Sequence, residues 1–149
     1  MTINESDFPK LGEAGYELKS DADEAYNCLA WAAGENHRWW EPTAGRYWPD
    51  RADRLYTVQA LMMAYSSLSF TECSDASHEG GMQKIAIYGM HGEYLHVARQ
   101  LRNGRWTSKL GPDEDICHSL PDALVGEAYG RIVKFMKRPY PQEPVLGDD

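Results

Sequence analysis

Five short β-prone runs fill the second half of the chain and constrain its fold more than any other feature. They are residues 70–73, 84–90, 94–101, 105–110 and 129–137, each bounded by Gly, Asn, Pro or Asp. Such spacing points to an antiparallel sheet of four or five strands. The sharpest local signal is Arg102-Asn103-Gly104-Arg105, because Asn-Gly between two strand runs favours a two-residue hairpin turn with positive φ at both positions. Counting outward from that turn sets Arg99 opposite Ser108. His96 and Ser108 then share a face only if a bulge or twist adjusts the register.

The first half reads differently. A helix is expected over about 23–33, ended by Gly34, with Leu29, Ala32 and Ala33 facing inward. Ser20 and Asp23 offer one capping box for it; Asn27 as the cap would instead place Cys28 in the first turn. A second helix is expected over 54–67, where Leu55, Val58, Leu61, Met62 and Tyr65 recur at helical spacing. Between them, Trp39, Trp40, Tyr47 and Trp48 stand among prolines in a packed loop. That cluster forms either the wall of a sugar or peptide groove or a cover for the core. The fold class is therefore α+β, with N-terminal helices packed on the sheet. At 149 residues the chain carries one domain, 1–149, with an acidic N-terminal arm over about 1–20 and a mobile tail over about 140–149.

Charge and composition narrow the function. With 23 acidic against 15 basic residues the formal charge is −8, a poor match for nucleic acid. No run reaches the ~20 apolar residues that span a bilayer, so membrane insertion is not expected. The N-terminus lacks a secretory signal pattern, which places the chain in the cytoplasm as synthesised unless a specialised secretion route delivers it. Cys28, Cys73 and Cys117 are odd in number and widely spaced, which argues for reduced thiols. Cys73 with His78, or Cys117 with His118, lacks the paired spacing of a zinc site, and no Gly-rich phosphate loop is present. Neither metal nor cofactor is expected.

The order of a thiol at a helix start and an imidazole in a later strand carries the chemical reading. Cys28 lies in Asn27-Cys28-Leu29-Ala30-Trp31-Ala32, and His96 opens His96-Val97-Ala98-Arg99-Gln100-Leu101, with Ser108 twelve positions on. This arrangement resembles the histidine hairpin of the NlpC and CHAP branch of the papain-like cysteine hydrolases. The resemblance implies a papain-like fold with Cys28 as nucleophile, His96 as base and Ser108 as the orienting third residue. Asp113 or Asp115, just beyond the hairpin, are alternative orienting groups. Tyr16, twelve residues before Cys28, resembles the tyrosine that assists the oxyanion site, and Asn27, directly before Cys28, is a further candidate orienting or oxyanion group. The sequence departs from the pattern in having Asn-Cys-Leu where Asp-Cys-Ser is usual. The motifs Asn-Cys-x-Ala-Trp-Ala and Trp-Thr-Ser-Lys-Leu-Gly also resemble a bacterial family of unknown function.

On that reading an imidazolium lowers the thiol pKa from its free value of about 8.5, the thiolate attacks an amide carbonyl, and His96 protonates the leaving amine. The expected activity is a thiol-dependent amide hydrolase or acyltransferase (peptidase, amidase or deamidase) acting on a protein or peptide, with Trp39, Trp40 and Trp48 lining the substrate groove. A toxin-like effector would also have a cognate partner or immunity protein. The alternative is a non-catalytic binding or inhibitory module on the same scaffold, with Cys28 packed and the aromatic loop as its contact surface.

Overall fold

The computed structural model describes residues 16–20, 24–110, 115–126, 128–141 and 145–146. Its main element is a seven-stranded antiparallel sheet. The strands are β1 (Tyr16–Ser20), β2 (Thr71–Cys73), β3 (Met82–Met90), β4 (Glu93–Gln100), β5 (Trp106–Lys109), β6 (Asp115–His118) and β7 (Arg131–Pro139). Their spatial order is β1-β6-β5-β4-β3-β7-β2.

This corrects the expected architecture. Strand outweighs helix, and the described residues hold only two α-helices, α1 (Cys28–Ala32) of five residues and α2 (Val58–Ser66) of nine. The picture of N-terminal helices on a papain-like sheet of four or five strands does not hold. The first strand also lies inside what the sequence suggested was an arm.

Local chemistry explains the shortened helices. Asn27 is extended, and its Oδ1 accepts from Ala30 N–H at 3.3 Å, so α1 starts at Cys28. A cap of this kind contributes about 1 kcal/mol. Gly34 follows the helix at φ +88°, a conformation that favours glycine. Thr57 caps α2 in the same way, its hydroxyl accepting from Ala60 N–H at 3.1 Å.

Alternation then divides the core into two layers. On one face α1, α2 and the Trp-rich segment pack over Ile85, Ile87, Val97 and Met136. Trp31 Nε1 donates to Thr107 Oγ1 at 2.9 Å, tying α1 to β5, and Tyr65 Oη donates to the Leu29 carbonyl at 2.9 Å, tying α2 to α1. The opposite face presents Ala86, Tyr88, Ala98, Trp106 and Ile116, against which Leu124, Val125 and Tyr129 of the 119–130 segment pack. Burying one aromatic or aliphatic side chain in either layer stabilises by roughly 1.5–3 kcal/mol.

Two register details decide where side chains point. The hairpin after β4 is not a two-residue turn: Leu101 N–H donates to Arg105 O at 2.7 Å, Gly104 N–H donates to Leu101 O at 2.9 Å, and of the loop residues only Gly104 has positive φ. A type I turn closed by a left-handed glycine adds one residue to the loop. Arg99 therefore pairs with Thr107 rather than Ser108. The second detail is a bulge in β4, where Gly89 pairs with Tyr94 and Tyr88 with His96, leaving Leu95 as the extra residue. A Cβ on Gly89 would collide with the Glu93 carbonyl, so this close approach requires glycine.

The C-terminal residues that are described are tied down. Tyr140 N–H donates to Gly81 O at 2.8 Å and its hydroxyl to Gln100 O at 3.0 Å, while Arg102 reaches Pro141 O at 3.2 Å and Arg99 reaches Leu146 O.

Candidate functional site

Cys28 occupies the first turn of α1, but it is buried in the layer that also holds Leu29, Tyr65 and Val97. Burial pushes its pKa up to about 11, and the backbone groups of Val97, Leu29 and Cys28 itself, with the charge of Lys109, oppose that rise without cancelling it. A thiol in this state is protonated at neutral pH and is a poor nucleophile. Asn27 is not an oxyanion donor: its amide donates to Trp40 O at 2.7 Å while its Oδ1 accepts from Trp40 N–H at 3.2 Å and from Ala30 N–H.

The structure does not bring Cys28 and His96 together. Tyr94 and Val97 pack in the layer that holds Cys28, whereas His96 sits on the other face, its ring 5.2 Å from that of Tyr88 and stacked on Tyr129 at 4.1 Å. The cause is Leu95. Strict alternation from Tyr94 would aim His96 at the thiol's face, and the one-residue bulge reverses it. His96 is fully buried, and among the described residues neither ring nitrogen has a hydrogen-bond partner. Burial, with a smaller contribution from His118, lowers its pKa well below the ordinary histidine value.

Ser108 does share a face with His96, because the longer hairpin loop shifts β5 by one residue. Its hydroxyl nevertheless pairs with a residue the sequence analysis did not select for catalysis, His118 Nε2, at 2.9 Å. His118 Nδ1 lies 2.8 Å from Leu120 O, which can only accept, so Nδ1 carries the proton and Nε2 accepts from Ser108. Burial lowers the His118 pKa to about 4, the Leu120 carbonyl opposes the shift, and the charge of Arg105 adds to it. A hydroxyl donating to an oriented imidazole has the form of a nucleophile and its base. Both side chains are fully buried, however, so this pair is closed to a substrate.

The remaining candidates scatter. Tyr16 packs in the layer opposite Cys28 and pairs across strands with His118, so it cannot donate to an oxyanion at the thiol. Asp115 pairs with Lys109 and alternates with Ile116, which places it on the face away from His96. Asp113 lies outside the described residues. Among the described residues, no three His, Cys, Asp or Glu side chains cluster as a metal site.

The aromatic segment separates into anchors and a surface. Trp40 and Trp48 are each 1% exposed and belong to the core, so neither lines a groove. Trp48 stacks on Tyr94, which stacks on Tyr56. Trp39 and Tyr47 are half-buried and Tyr56 is 42% exposed. Glu41 joins two of these rings: Trp39 Nε1 donates to its Oε1 at 3.1 Å, and Tyr56 Oη and Thr43 Oγ1 donate to its Oε2 at 2.8 and 3.3 Å. The Tyr56 bond is the largest of several effects that hold the Glu41 carboxyl below its ordinary pKa. The Arg38 guanidinium covers Tyr47 at 3.5 Å, and that of Arg46 lies 5.5 Å from the Trp39 ring. Glu41, Arg38, Arg46 and Tyr56 are not among the residues that the sequence alone singles out. Their interleaving with the tryptophans was the available signal. A separate shallow groove of about 440 Å³ on α2 is lined by Arg51, Gln59, Met62, Met63, Ser66 and Ser67, none of them a sequence-derived candidate.

A family model described as a domain of unknown function, DUF7689, matches residues 17–137, and no papain-like, NlpC or CHAP model does. No curated protein and no solved structure matches the chain.

Proposed function

Because the chain belongs to the DUF7689 family, whose model spans residues 17–137 and brings no activity with it, we propose a function from the site alone: a non-catalytic binding module that contacts a protein or peptide through Trp39, Tyr47 and Tyr56. The observation that carries this reading is the split between adjacent tryptophans. Trp40 is sunk in the core, while Trp39 is held at the surface by its bond to Glu41. Tryptophan, tyrosine and arginine are the residues that dominate interface energetics, and anchoring them beforehand lowers the ordering entropy lost on binding.

Thiol-dependent amide hydrolysis has less support. It needs a thiolate beside an imidazole, and here the sheet separates Cys28 from His96.

Selection of a random peptide library on the wild type and on Trp39→Ala tests the reading. It predicts peptides that bind the wild type and lose at least tenfold in affinity on Trp39→Ala, while Cys28→Ser binds them normally. Recovered peptides that bind Trp39→Ala equally well, or processing of peptides that depends on Cys28, would overturn it.

A further inference from the structure

The aromatic segment contains two Trp–Glu units, a complete one on buried Trp40 and an open one on half-buried Trp39. In the complete unit Glu35 accepts the Trp40 indole N–H at 2.9 Å and binds Arg38 through two bonds, Nε to Oε1 at 2.7 Å and Nη2 to Oε2 at 2.9 Å. The same guanidinium covers the Tyr47 ring at 3.5 Å. Carboxylate, ring and cation are all satisfied there.

In the open unit Glu41 accepts the Trp39 indole N–H, the Tyr56 hydroxyl and the Thr43 hydroxyl. A carboxylate offers about four lone-pair positions, so roughly one is left. Arg46, whose charge helps lower the Glu41 pKa, is exposed and lies 5.5 Å from the Trp39 ring centre, close to the ~6 Å limit of a cation–π contact, while Arg54 is bonded to the Thr43 carbonyl at 3.1 Å. Among the described residues the Arg46 guanidinium makes no hydrogen bond or ion pair. The open unit has the ring and the ionised carboxylate of its neighbour but lacks a bonded guanidinium.

We propose that the Trp39–Glu41–Tyr56 surface receives an arginine side chain of a peptide or protein partner, stacked on Trp39 and paired to Glu41. This rests on the binding-module reading and adds the chemistry of the ligand. Planar guanidinium suits the site better than ammonium because it stacks and pairs at once. The formal charge of −8 draws a basic partner toward the chain. Arg46 is a weak internal competitor, displaced on binding.

The test uses the full ¹⁵N-labelled chain and the Trp39 indole N–H resonance, assigned by its loss in Trp39→Phe. N-acetyl-arginine amide is titrated against its neutral isostere, N-acetyl-citrulline amide. The expected result is a saturable millimolar shift with the arginine compound only, weakened at least tenfold in Glu41→Gln and strengthened several-fold in Arg46→Ala. No shift, equal response to citrulline, or unchanged binding in Glu41→Gln would overturn the proposal. The peptide selection separates the two failures. Trp39-dependent peptides without arginine would retain the binding module and remove the arginine site; peptides without Trp39 dependence would remove both.

Discussion

The two faces of the sheet carry different buried polar groups. On the helix-covered face the polar side chains serve as ties between elements: Asn27 holds Trp40 and the start of α1, Trp31 reaches Thr107, and Thr107 Oγ1 donates to Ile116 O at 3.1 Å. Across the sheet, His118 is satisfied by Ser108 and Leu120, but both buried ring nitrogens of His96 lack a hydrogen bond among the described residues. The Cys28 thiol belongs to the first face and both imidazoles to the second. Chemistry that reads as a pair along the chain is thus divided by the side-chain alternation of one strand, reset at Leu95. Proximity of motifs in sequence order does not fix which layer they enter.

The largest effect should come from removing an anchor of the helix-covered face. Trp40→Ala is expected to lose about 3–5 kcal/mol, the usual range for a buried aromatic, whereas Trp39→Ala should lose less than ~1 kcal/mol. Urea unfolding of both variants checks this. Equal losses would erase the distinction between anchor and contact surface.

Acid should act next, and through the other face. His118 and His96 have folded pKa values below the ordinary 6.5, so the unfolded chain binds more protons and stability falls as pH drops below 6.5. For His118 the loss runs from 6.5 to its folded value of about 4 and amounts to about 3 kcal/mol, with His96 continuing it lower. Urea midpoints between pH 7 and pH 5 isolate the histidines, since Glu35 and Glu41 titrate below that window. A flat profile there would contradict the burial of both rings.

A smaller gain sharpens the same contrast. His96→Phe keeps a ring against Tyr129 and removes two unbonded nitrogens, and is expected to stabilise by about 1–2 kcal/mol. Destabilisation in urea would mean that the imidazole has a bonded role.

The local elements were more legible in the sequence than the architecture they build. Gly34 marked the end of α1, whose start lies at the alternative cap Asn27 rather than near residue 23; of Leu55, Val58, Leu61, Met62 and Tyr65 all but the exposed Leu55 fall in α2; and each of the five β-prone runs overlaps a strand. The two added strands were not legible for physical reasons. β6 has four residues, of which Ile116 alone is a strong strand former, and β1 lies in an acidic stretch whose local pattern is short. The faces were least visible. A single turn residue moved Ser108 onto the face of His96, and a single bulge residue moved His96 away from Cys28. Trp39 and Trp40 are chemically identical neighbours, and only tertiary contact separates surface from core.

The separation of thiol and imidazole is tested most directly by the pH dependence of iodoacetamide labelling at Cys28, followed by mass spectrometry in the wild type and in His96→Phe. The account predicts that Cys28 resists labelling near neutral pH, with a pKa near 11 that does not move when His96 is replaced. Fast labelling of Cys28 near neutral pH, with a pKa below the free-thiol value of about 8.5 that rises in His96→Phe, would contradict it and restore the catalytic pair.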